Sequence, residues 1–330
     1  MKCRMAGFLA LLVLGSAAWG VAALLYFDHA SDALRAALAV AFALAALAAL
    51  VGLFLPRWRW RAFGAYLLLF ALLLGRWLAI EPSNDRDWQP ETVRLAYADV
   101  AGDKVTLHNI RNFAYRTETD FTPAYYDKTF DLSSLDSVDL VATYWMGPAI
   151  AHIFLTFGFG DDHLAISIEA RKEKGEGYSS VQGFFRQYEL YYVVGDERDI
   201  IRLRTNYRRD PPEDVYLYRV RGTKESARRL FLEYVAEMNR LKERPEFYNT
   251  LTTNCTSVIW LNSKVNPGHV PYSWKILASG YLPEYLYEQG RLDTALPFAE
   301  LQRRSLVNKR AVAADKDPDF SRRIREGLPG

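Results

Sequence analysis

The 330-residue sequence contains little cysteine and histidine and has almost no net charge. It has two cysteines and five histidines, and its 41 basic and 39 acidic residues give a formal net charge of +2 at pH 7. No basic stretch is typical of a nucleic-acid surface. Neither a C-x-x-C nor an H-E-x-x-H spacing indicates a metal site, and no glycine-rich loop indicates a phosphate site. We therefore expect no nucleic-acid partner, no metal and no cofactor.

Long apolar runs are confined to the first 80 residues. Three of them, 5–27, 33–55 and 63–80, are each close to the ~20 residues that cross a bilayer as a helix. A cleaved signal peptide would explain only the first run. A water-exposed helix needs a polar side, and these runs have none. The sequence therefore predicts a three-helix transmembrane region over residues 1–80.

The charges next to these runs predict their orientation. Lys2 and Arg4 precede the first run, and "PRWRWR" (56–61) joins the second to the third, whereas "DHASD" (28–32) between the first two is acidic. The positive-inside rule places the N-terminus and the arginine-rich loop in the cytoplasm. We expect a multi-pass protein of the inner (cytoplasmic) membrane whose C-terminal domain lies in the periplasm.

This topology has a consequence for the two cysteines. Cys3 and Cys255 would lie on opposite sides of the membrane, so they could not form a disulfide. An unpaired thiol in an oxidising compartment is exposed to oxidation, and a catalytic role would explain its presence. A buried, unreactive thiol is the alternative.

The remaining sequence predicts an α+β domain. A polar linker at 81–103 precedes β-rich segments at 137–145, 149–159, 163–170, 187–195, 199–204 and 214–220. Apolar residues at helical spacing predict a helix over 224–243, and further helices begin near Cys255 and cover 282–289. Strands followed by helices favour an antiparallel sheet within a domain spanning 104–290. We expect residues 291–330 to form a charged, partly ordered tail.

Cys255 lies at a predicted helix start. In "TLTTNCTSVIWL" (251–262), Thr252, Thr253 and Asn254 are all good N-cap residues, and an apolar stretch follows. A thiol in the first turn meets free backbone N–H groups and the positive end of the helix dipole, which favour the thiolate. The same N–H groups, with help from Asn254, could bind an oxyanion.

A catalytic thiol needs a base, and His163 is the predicted one. Alternation along "HLAISIE" places His163 on one strand face with Ala165, Ser167 and Glu169, where small neighbours leave room for a helix end. The other histidines fit this role less well: His152 has the pattern of a core histidine, His108 remains a candidate, His269 falls in a loop and His29 at the membrane edge.

An orienting third residue is harder to predict. Glu169 shares the face of His163, but six residues along a strand span roughly 20 Å, which is too far for a hydrogen bond. In an antiparallel hairpin the next strand ends beside His163, which indicates Asp196 or Glu197 in "GDERD". A charged turn without a catalytic role is the alternative.

Together these motifs resemble known families. "HLAIS" followed much later by "NC" at a helix start is similar to the circularly permuted papain-like arrangement of permuted NlpC/P60 and lecithin–retinol acyltransferase-like enzymes. More closely, seven motifs in order resemble the Lnb N-terminal periplasmic domain family over about residues 104–290. They are "NIRNF", "ETDFTPAYYD", "HLAISIEARKEKGE", "QYELYYV", "DERDIIRLR", "DVYLYR" and "TTNCTS".

The resemblance implies roles for particular residues. It makes Cys255 the nucleophile and His163 the base. Asn109, Arg111 and Asn112 in "HNIRNF" match the family's Asn-x-Arg-Asn pattern, which implies a site lining that binds a carbonyl or a phosphate-like headgroup. The alternative is a turn held by asparagine side chains, with the arginine paired to a surface carboxylate.

The resemblance also implies a reaction. Gram-positive members of this family are lipoprotein N-acyltransferases, so we expect a Cys–His acyltransferase or acyl hydrolase whose partner is a lipid or lipoprotein at the membrane surface. Two alternatives remain open. One is an amidase or peptidase that acts on cell-wall peptide, and the other is a non-catalytic scaffold module of the envelope. The sequence does not determine the oligomeric state.

Overall fold

The computed structural model describes residues 2–26 and 31–329, with side chains from Arg4 onward. His29 and the side chains of Lys2 and Cys3, which the sequence analysis discusses, lie outside this description. The chain forms two compact units. Met1–Ser83 and Tyr178–Tyr188 make up the first, and Asn84–Gly177 and Glu189–Gly330 the second. The predicted α+β class, with three apolar helices ahead of a sheet-rich domain, is confirmed.

The first unit contains the three predicted apolar helices. They are α1 (Lys2–Leu25), α2 (Asp32–Phe54) and α3 (Arg59–Leu78). Each is long and apolar enough to cross a membrane. Ser31 begins α2 as an N-cap whose side chain accepts a hydrogen bond from the backbone N–H of Leu34.

The three helices are apolar on their outer surface as well as where they touch. Val13, Leu53 and Tyr66 are buried in their shared core. Leu68 and Leu72 on α3 point outward and are each 64% exposed. Helices that are apolar on all sides are typical of membrane spans, since lipid does not penalise an outward leucine.

The second unit is built on a largely antiparallel sheet. Within the described residues its strands are β1 (Tyr97–Ala101), β2 (Lys104–Arg111), β3 (Ala114–Tyr115), β4 (Phe121–Thr122), β5 (Tyr125–Asp131), β6 (Leu135–Tyr144), β7 (His152–Phe159), β8 (Asp162–Arg171), β9 (Glu189–Asp196) and β10 (Asp214–Arg219). The main sheet has the order β1-β2-β9-β8-β7-β6-β10, with β5 on β2, while β3 and β4 pair separately. The one parallel contact recorded there joins β2 to β9.

Eight helices in the described part of the second unit complete it. They are α4 (Glu197–Arg202), α5 (Lys224–Glu243), α6 (Cys255–Ser263), α7 (Trp274–Leu277), α8 (Leu282–Glu288), α9 (Phe298–Ser305), α10 (Asn308–Ala313) and α11 (Phe320–Arg325). The bounds of α5 are those predicted. Its apolar stripe packs on one sheet face, where Phe231 and Tyr234 contact Phe157.

The opposite sheet face is covered by helices that the sequence analysis did not predict. Segment 199–204, expected as a strand, is helical. Asp196 caps α4, and Ile200 and Ile201 are buried against this face. A π-helical turn, Leu203–Tyr207, follows α4.

The last 40 residues also differ from the expected tail. Val307, Ala311 and Ala314 on or beside α10, and Phe320 and Ile324 on α11, are buried in the same core. These apolar residues are spaced among many charged ones, so the overall composition of the segment did not indicate that it is folded. The predicted linker is likewise part of the fold: Trp88 is buried, and the guanidinium of Arg171 lies 4.0 Å from its ring centroid.

Candidate functional site

The site begins at the N-terminus of α6, where the local sequence determines the helix start. The Asn254 side chain accepts a hydrogen bond from the Ser257 N–H at 2.9 Å, and Ser257 Oγ accepts one from the Asn254 N–H at 2.9 Å. This reciprocal capping box begins the helix at Cys255. The free, half-buried thiol therefore lies in the first turn, as predicted.

The contacts of Asn254 give it a structural role at the helix start, and its predicted role as an oxyanion donor stays a prediction. Its Nδ2 group donates to the carbonyl oxygen of Thr250 at 2.7 Å, and its Oδ1 atom accepts the capping hydrogen bond. Both ends of the amide are therefore used to hold the loop and the helix start. Asn254 thereby positions the thiol, and the backbone N–H groups of the first turn offer oxyanion donors beside it.

The histidine beside the thiol is His152, the first residue of β7. The Cys255 thiol interacts with the His152 side chain and with the backbone N–H groups of Ile153 and Thr256. Nε2 of His152 lies 2.8 Å from Ser167 Oγ and 3.5 Å from Glu169 Oε1. Because Nε2 faces these two side chains, Nδ1 is the ring nitrogen available to the thiol.

The β7–β8 hairpin explains why Glu169 is next to His152. Leu155 pairs with Ile166 and Phe157 with Leu164, so the same register places position 152 opposite position 169. Directly opposed residues of antiparallel strands share a face. His152 and Glu169 are therefore neighbours across the strands, and Ser167 lies one step further along the same face.

Glu169 is itself held by a buried arginine. Arg204, in the π-helical turn, donates from Nη2 to Glu169 Oε1 at 3.1 Å and from Nη1 to Glu213 Oε2 at 3.3 Å. Its side chain is 6% exposed. Ser167 Oγ adds a 2.8 Å contact to Glu169 Oε1. The carboxylate that faces the imidazole is thus fixed by partners on both sides.

The electrostatics of the cluster favour an ion pair. Burial alone would raise the pKa of the Cys255 thiol, but His152 and the two backbone N–H groups lower it below its ordinary value. Burial and the Arg204 charge act to lower the pKa of His152, yet its contacts with Cys255 and Glu169 raise it. Burial opposes ionisation of Glu169 too, but His152 and Arg204 keep its pKa well below the usual range. A thiolate beside an imidazolium is the state that these shifts favour.

The prediction that His163 meets Cys255 is wrong. His163 shares a sheet face with Glu169, as predicted, but it lies opposite Gly158 at the other end of β8, roughly 20 Å from the Glu169 end. Its Nδ1 atom is 3.4 Å from the Asp161 carbonyl oxygen. The alternation of side chains predicted the correct face of β8. The error was to place the thiol at the His163 end of this strand.

Asp196 and Glu197 lie near His163, as the hairpin argument predicted, but they are part of the fold's framework there. The Asp196 side chain accepts a hydrogen bond from the Arg198 N–H at 2.9 Å and begins α4. Glu197 is fully buried and accepts two hydrogen bonds from Arg325 at 2.7 Å. Since Cys255 is at the opposite strand end, neither carboxylate can orient its base.

The Asn-x-Arg-Asn segment has structural contacts of its own. Arg111 donates to both oxygens of buried Asp199, at 3.0 and 2.9 Å. Asn109 has a left-handed φ of 60° and donates from Nδ2 to the Leu95 carbonyl, and the Asn112 N–H donates to the Ala124 carbonyl. The structure therefore shows the alternative, a turn held by asparagine with a paired arginine, although the carboxylate is buried and not on the surface.

His108, the other candidate base, is also used elsewhere. Its Nδ1 lies 2.8 Å from Asp127 Oδ2 and its Nε2 3.0 Å from Asp99 Oδ2. These carboxylates raise the pKa of His108, with Asp127 the larger influence. Among the described residues, no group of three or more His, Cys, Asp and Glu side chains could hold a metal ion.

The sequence did contain a signal for His152. "FGFGDDH" has a glycine at position 160, whose φ is +67°, and the two residues Gly160 and Asp161 close the hairpin between Phe159 and Asp162. Counting outward from this turn places His152 opposite Glu169. A histidine and a carboxylate paired on one face identify a candidate base more directly than the motif that begins at His163.

The second unit is therefore an α+β domain with a cysteine at a helix N-terminus beside a His–Glu pair, in a chain that also has three membrane-length helices. Residues 121–280 match the sequence model of the Lnb N-terminal periplasmic domain, which confirms the resemblance over this part of the chain. The matched part contains the His152–Glu169–Cys255 cluster and begins after the Asn109–Asn112 segment. The match and the helices together fit a membrane protein with a periplasmic domain. Comparison with curated proteins found no match, nor did comparison with solved structures.

Proposed function

We propose that the chain is a thiol-dependent acyltransferase or acyl hydrolase that acts on lipid-linked esters at the periplasmic surface of the inner membrane. The observation that carries this proposal is the Cys255–His152–Glu169 arrangement at the start of α6. It contains the nucleophile, base and orienting carboxylate of a cysteine enzyme. The alternative of an unreactive thiol does not explain why the pKa of the Cys255 thiol is lowered.

The reaction would follow from these positions. The Cys255 thiolate attacks the ester carbonyl carbon, and the carbonyl oxygen becomes an oxyanion near the Cys255 N–H. This N–H is in the first turn of α6, where backbone donors have no acceptor within the helix. Collapse breaks the ester C–O bond, and the imidazolium of His152 gives its proton to the leaving alkoxide. The resulting thioester then passes its acyl group to an amine or to water. His152 accepts the proton of that second nucleophile, and the thiolate is restored.

Apolar side chains on both segments of the site support a lipid substrate. Leu251, four residues before the cysteine, is 51% exposed, and Ile150, two residues before the histidine, is 42% exposed. Met146 in the same loop is 67% exposed. A peptide amidase would be served better by polar side chains at these positions. Exposed apolar residues on the two chain segments that carry the thiol and the base instead fit an acyl chain.

The proposed topology brings the substrate to the domain. Arg57 between α2 and α3, together with Arg59 and Arg61 in the first turn of α3, favours the cytoplasmic side for this end of the helices. Three crossings then place the second unit on the periplasmic side, where lipoproteins present ester-linked acyl chains. The helices would tether the second unit to the membrane that holds the substrate.

The test uses the full-length Cys3→Ser protein in proteoliposomes that contain a diacylglyceryl lipopeptide with a free terminal amine. We expect an acyl thioester on Cys255, detected by mass spectrometry and released by neutral hydroxylamine. The His152→Gln variant should accumulate it far more slowly, by about 100-fold or more, and Cys255→Ala should not form it. N-acylated peptide would identify transfer, and free fatty acid would identify hydrolysis.

Two other outcomes would overturn the proposal. Cleavage of cell-wall peptide that depends on Cys255, without any lipid thioester, would identify the peptide amidase alternative. No reaction with either substrate, together with a Cys255 thiol of ordinary reactivity, would favour the scaffold alternative.

A further inference from the structure

The segment Tyr178–Tyr188 is unusual because it belongs to the first unit although it lies in the chain between β8 and β9 of the second. Phe185 is 8% exposed, and its ring packs 6.2 Å from that of Trp19 and 5.6 Å from that of Tyr26, both in or next to α1. The segment therefore packs against the C-terminal end of a membrane-length helix.

Arg186 binds the C-terminal end of α3 in the same unit. Its Nη1 group donates to the carbonyl oxygens of Trp77, Leu78 and Ile80 at 3.3, 3.0 and 2.9 Å. Its guanidinium also lies 4.4 Å from the Trp77 ring centroid. A cation at a helix C-terminus satisfies carbonyls that have no helical partner and complements the helix dipole.

The backbone of the segment is fixed around these contacts. Arg186 has a φ of 60°, a conformation that a large side chain adopts only when its surroundings hold it there. Tyr188 donates from its hydroxyl to Gln182 Oε1 at 2.6 Å and accepts from the Ser179 N–H at 3.0 Å. The segment is thus a closed, internally bonded loop.

This ordered loop presents apolar side chains outward. Val181 is 52% exposed and precedes the short helical turn Gln182–Phe184, and Phe184, which is 41% exposed, ends that turn. The loop lies next to Trp19, Tyr26 and Trp77, and such aromatic residues at the ends of membrane helices mark the boundary between lipid and water. An apolar surface that continues this boundary fits the headgroup layer of the bilayer.

We propose that Tyr178–Tyr188 is a membrane-interface element that inserts Val181 and Phe184 into the periplasmic headgroup layer. The bilayer is the occupant because the loop packs on the ends of α1 and α3, the helices that would enter that layer. This inference rests on the membrane topology proposed above but is independent of the chemistry at Cys255.

The test places a fluorophore at single introduced cysteines in the full-length Cys3→Ser/Cys255→Ser protein. Vesicles of phosphatidylethanolamine and phosphatidylglycerol would carry a nitroxide at either a shallow or a deep position. Labels at Val181→Cys and Phe184→Cys should be quenched by the shallow nitroxide about threefold more strongly than a label at Asp120→Cys. Asp120 is an exposed, charged residue before β4.

A label at Leu72→Cys on α3 separates the two proposals. Strong quenching of this label by the deep nitroxide would show that the helices span the bilayer. Absence of this quenching would refute the proposed membrane topology. If Leu72→Cys is quenched but Val181→Cys and Phe184→Cys respond only to aqueous iodide, the interface proposal is wrong. Labels at both positions that are shielded from iodide and nitroxide alike would show that protein and not lipid covers this surface, and would also overturn the interface proposal.

Discussion

The assignment of His152 makes a prediction that needs no substrate. Replacing His152 with glutamine removes the main group that lowers the pKa of the Cys255 thiol, while Ser167 and Glu169 remain in place. We expect the pKa of the thiol to rise. His163→Gln is the matched control, because it makes the same chemical change at the other end of β8.

The size of the effect follows from the separation and the exposure of the pair. An imidazolium at a hydrogen-bonding separation of about 4 Å stabilises a thiolate by about 1 kcal/mol in water and by about 4 kcal/mol at the effective dielectric of a partly buried site. His152 has 15% of its side chain exposed, and Cys255 is half-buried. We therefore expect a rise of about one to three pKa units. The backbone N–H groups of Ile153 and Thr256 keep their contribution in both variants.

The assay is the rate of alkylation by iodoacetamide as a function of pH, in the full-length Cys3→Ser protein. Only the thiolate reacts, so the midpoint of the profile reports the pKa of Cys255. His152→Gln should move the midpoint upward and slow the reaction at pH 7 by about tenfold or more, and His163→Gln should leave it unchanged. An equal shift in the two variants, or a shift in His163→Gln alone, would refute the His152 assignment.

Further predictions concern the carboxylate beside the base and the buried charges of α11. Glu169→Gln should raise the thiol pKa in the same alkylation assay, by less than the histidine variant does, because the imidazolium loses one partner and still forms. Glu300→Gln is its control, since the two glutamates have similar side-chain exposure, 26% and 27%, and an equal response in both would contradict the reasoning. Arg325→Ala should lower the free energy of unfolding by about 3 kcal/mol, because it leaves buried Glu197 unpaired. Exposed Arg322→Ala should change it little in the same urea titration, and similar losses in the two variants would exclude this role for the ion pair. Burial opposes ionisation of Glu197, but Arg325 lowers its pKa from 4.5 to about 2, so its contribution to stability is complete above about pH 4.5 and is lost towards pH 2. In Arg325→Ala the loss of stability between about pH 4.5 and pH 2 should be smaller. An unchanged dependence of stability on pH would show that Glu197 does not cause this loss.

The parts of the site that local chemistry determines could be predicted from the sequence. Asn254 and Ser257 stand at the spacing of a capping box, so the start of α6 at Cys255 depends on residues within one turn. The face shared by His163, Ser167 and Glu169 also follows from alternation alone. These two features placed the thiol at a helix start and gave the face of β8 on which Glu169 lies, but they left the choice among the histidines open.

The end of the strands at which the thiol lies depends on contacts that are distant in sequence. Thr256 Oγ1 donates to the Ile276 carbonyl at 2.6 Å, and Ser279 Oγ accepts from the Ala151 N–H at 3.0 Å. Together these contacts connect the start of α6 to the start of β7 through the segment that contains α7. No local pattern predicts that segment's position, and the motif resemblance led to the wrong histidine.

The buried charges beside the site explain how one histidine could act as both base and acid. A carboxylate alone would make His152 a stronger base and a poorer proton donor to the leaving group. Arg204 offsets this effect, because it binds Glu169 directly and acts to lower the pKa of His152. The same arginine keeps Glu169 ionised. A catalytic acid and base is most effective when its pKa lies near the working pH. Glu169 and Arg204 therefore act on the pKa of His152 in opposite directions, so that Arg204 limits how far the carboxylate raises it.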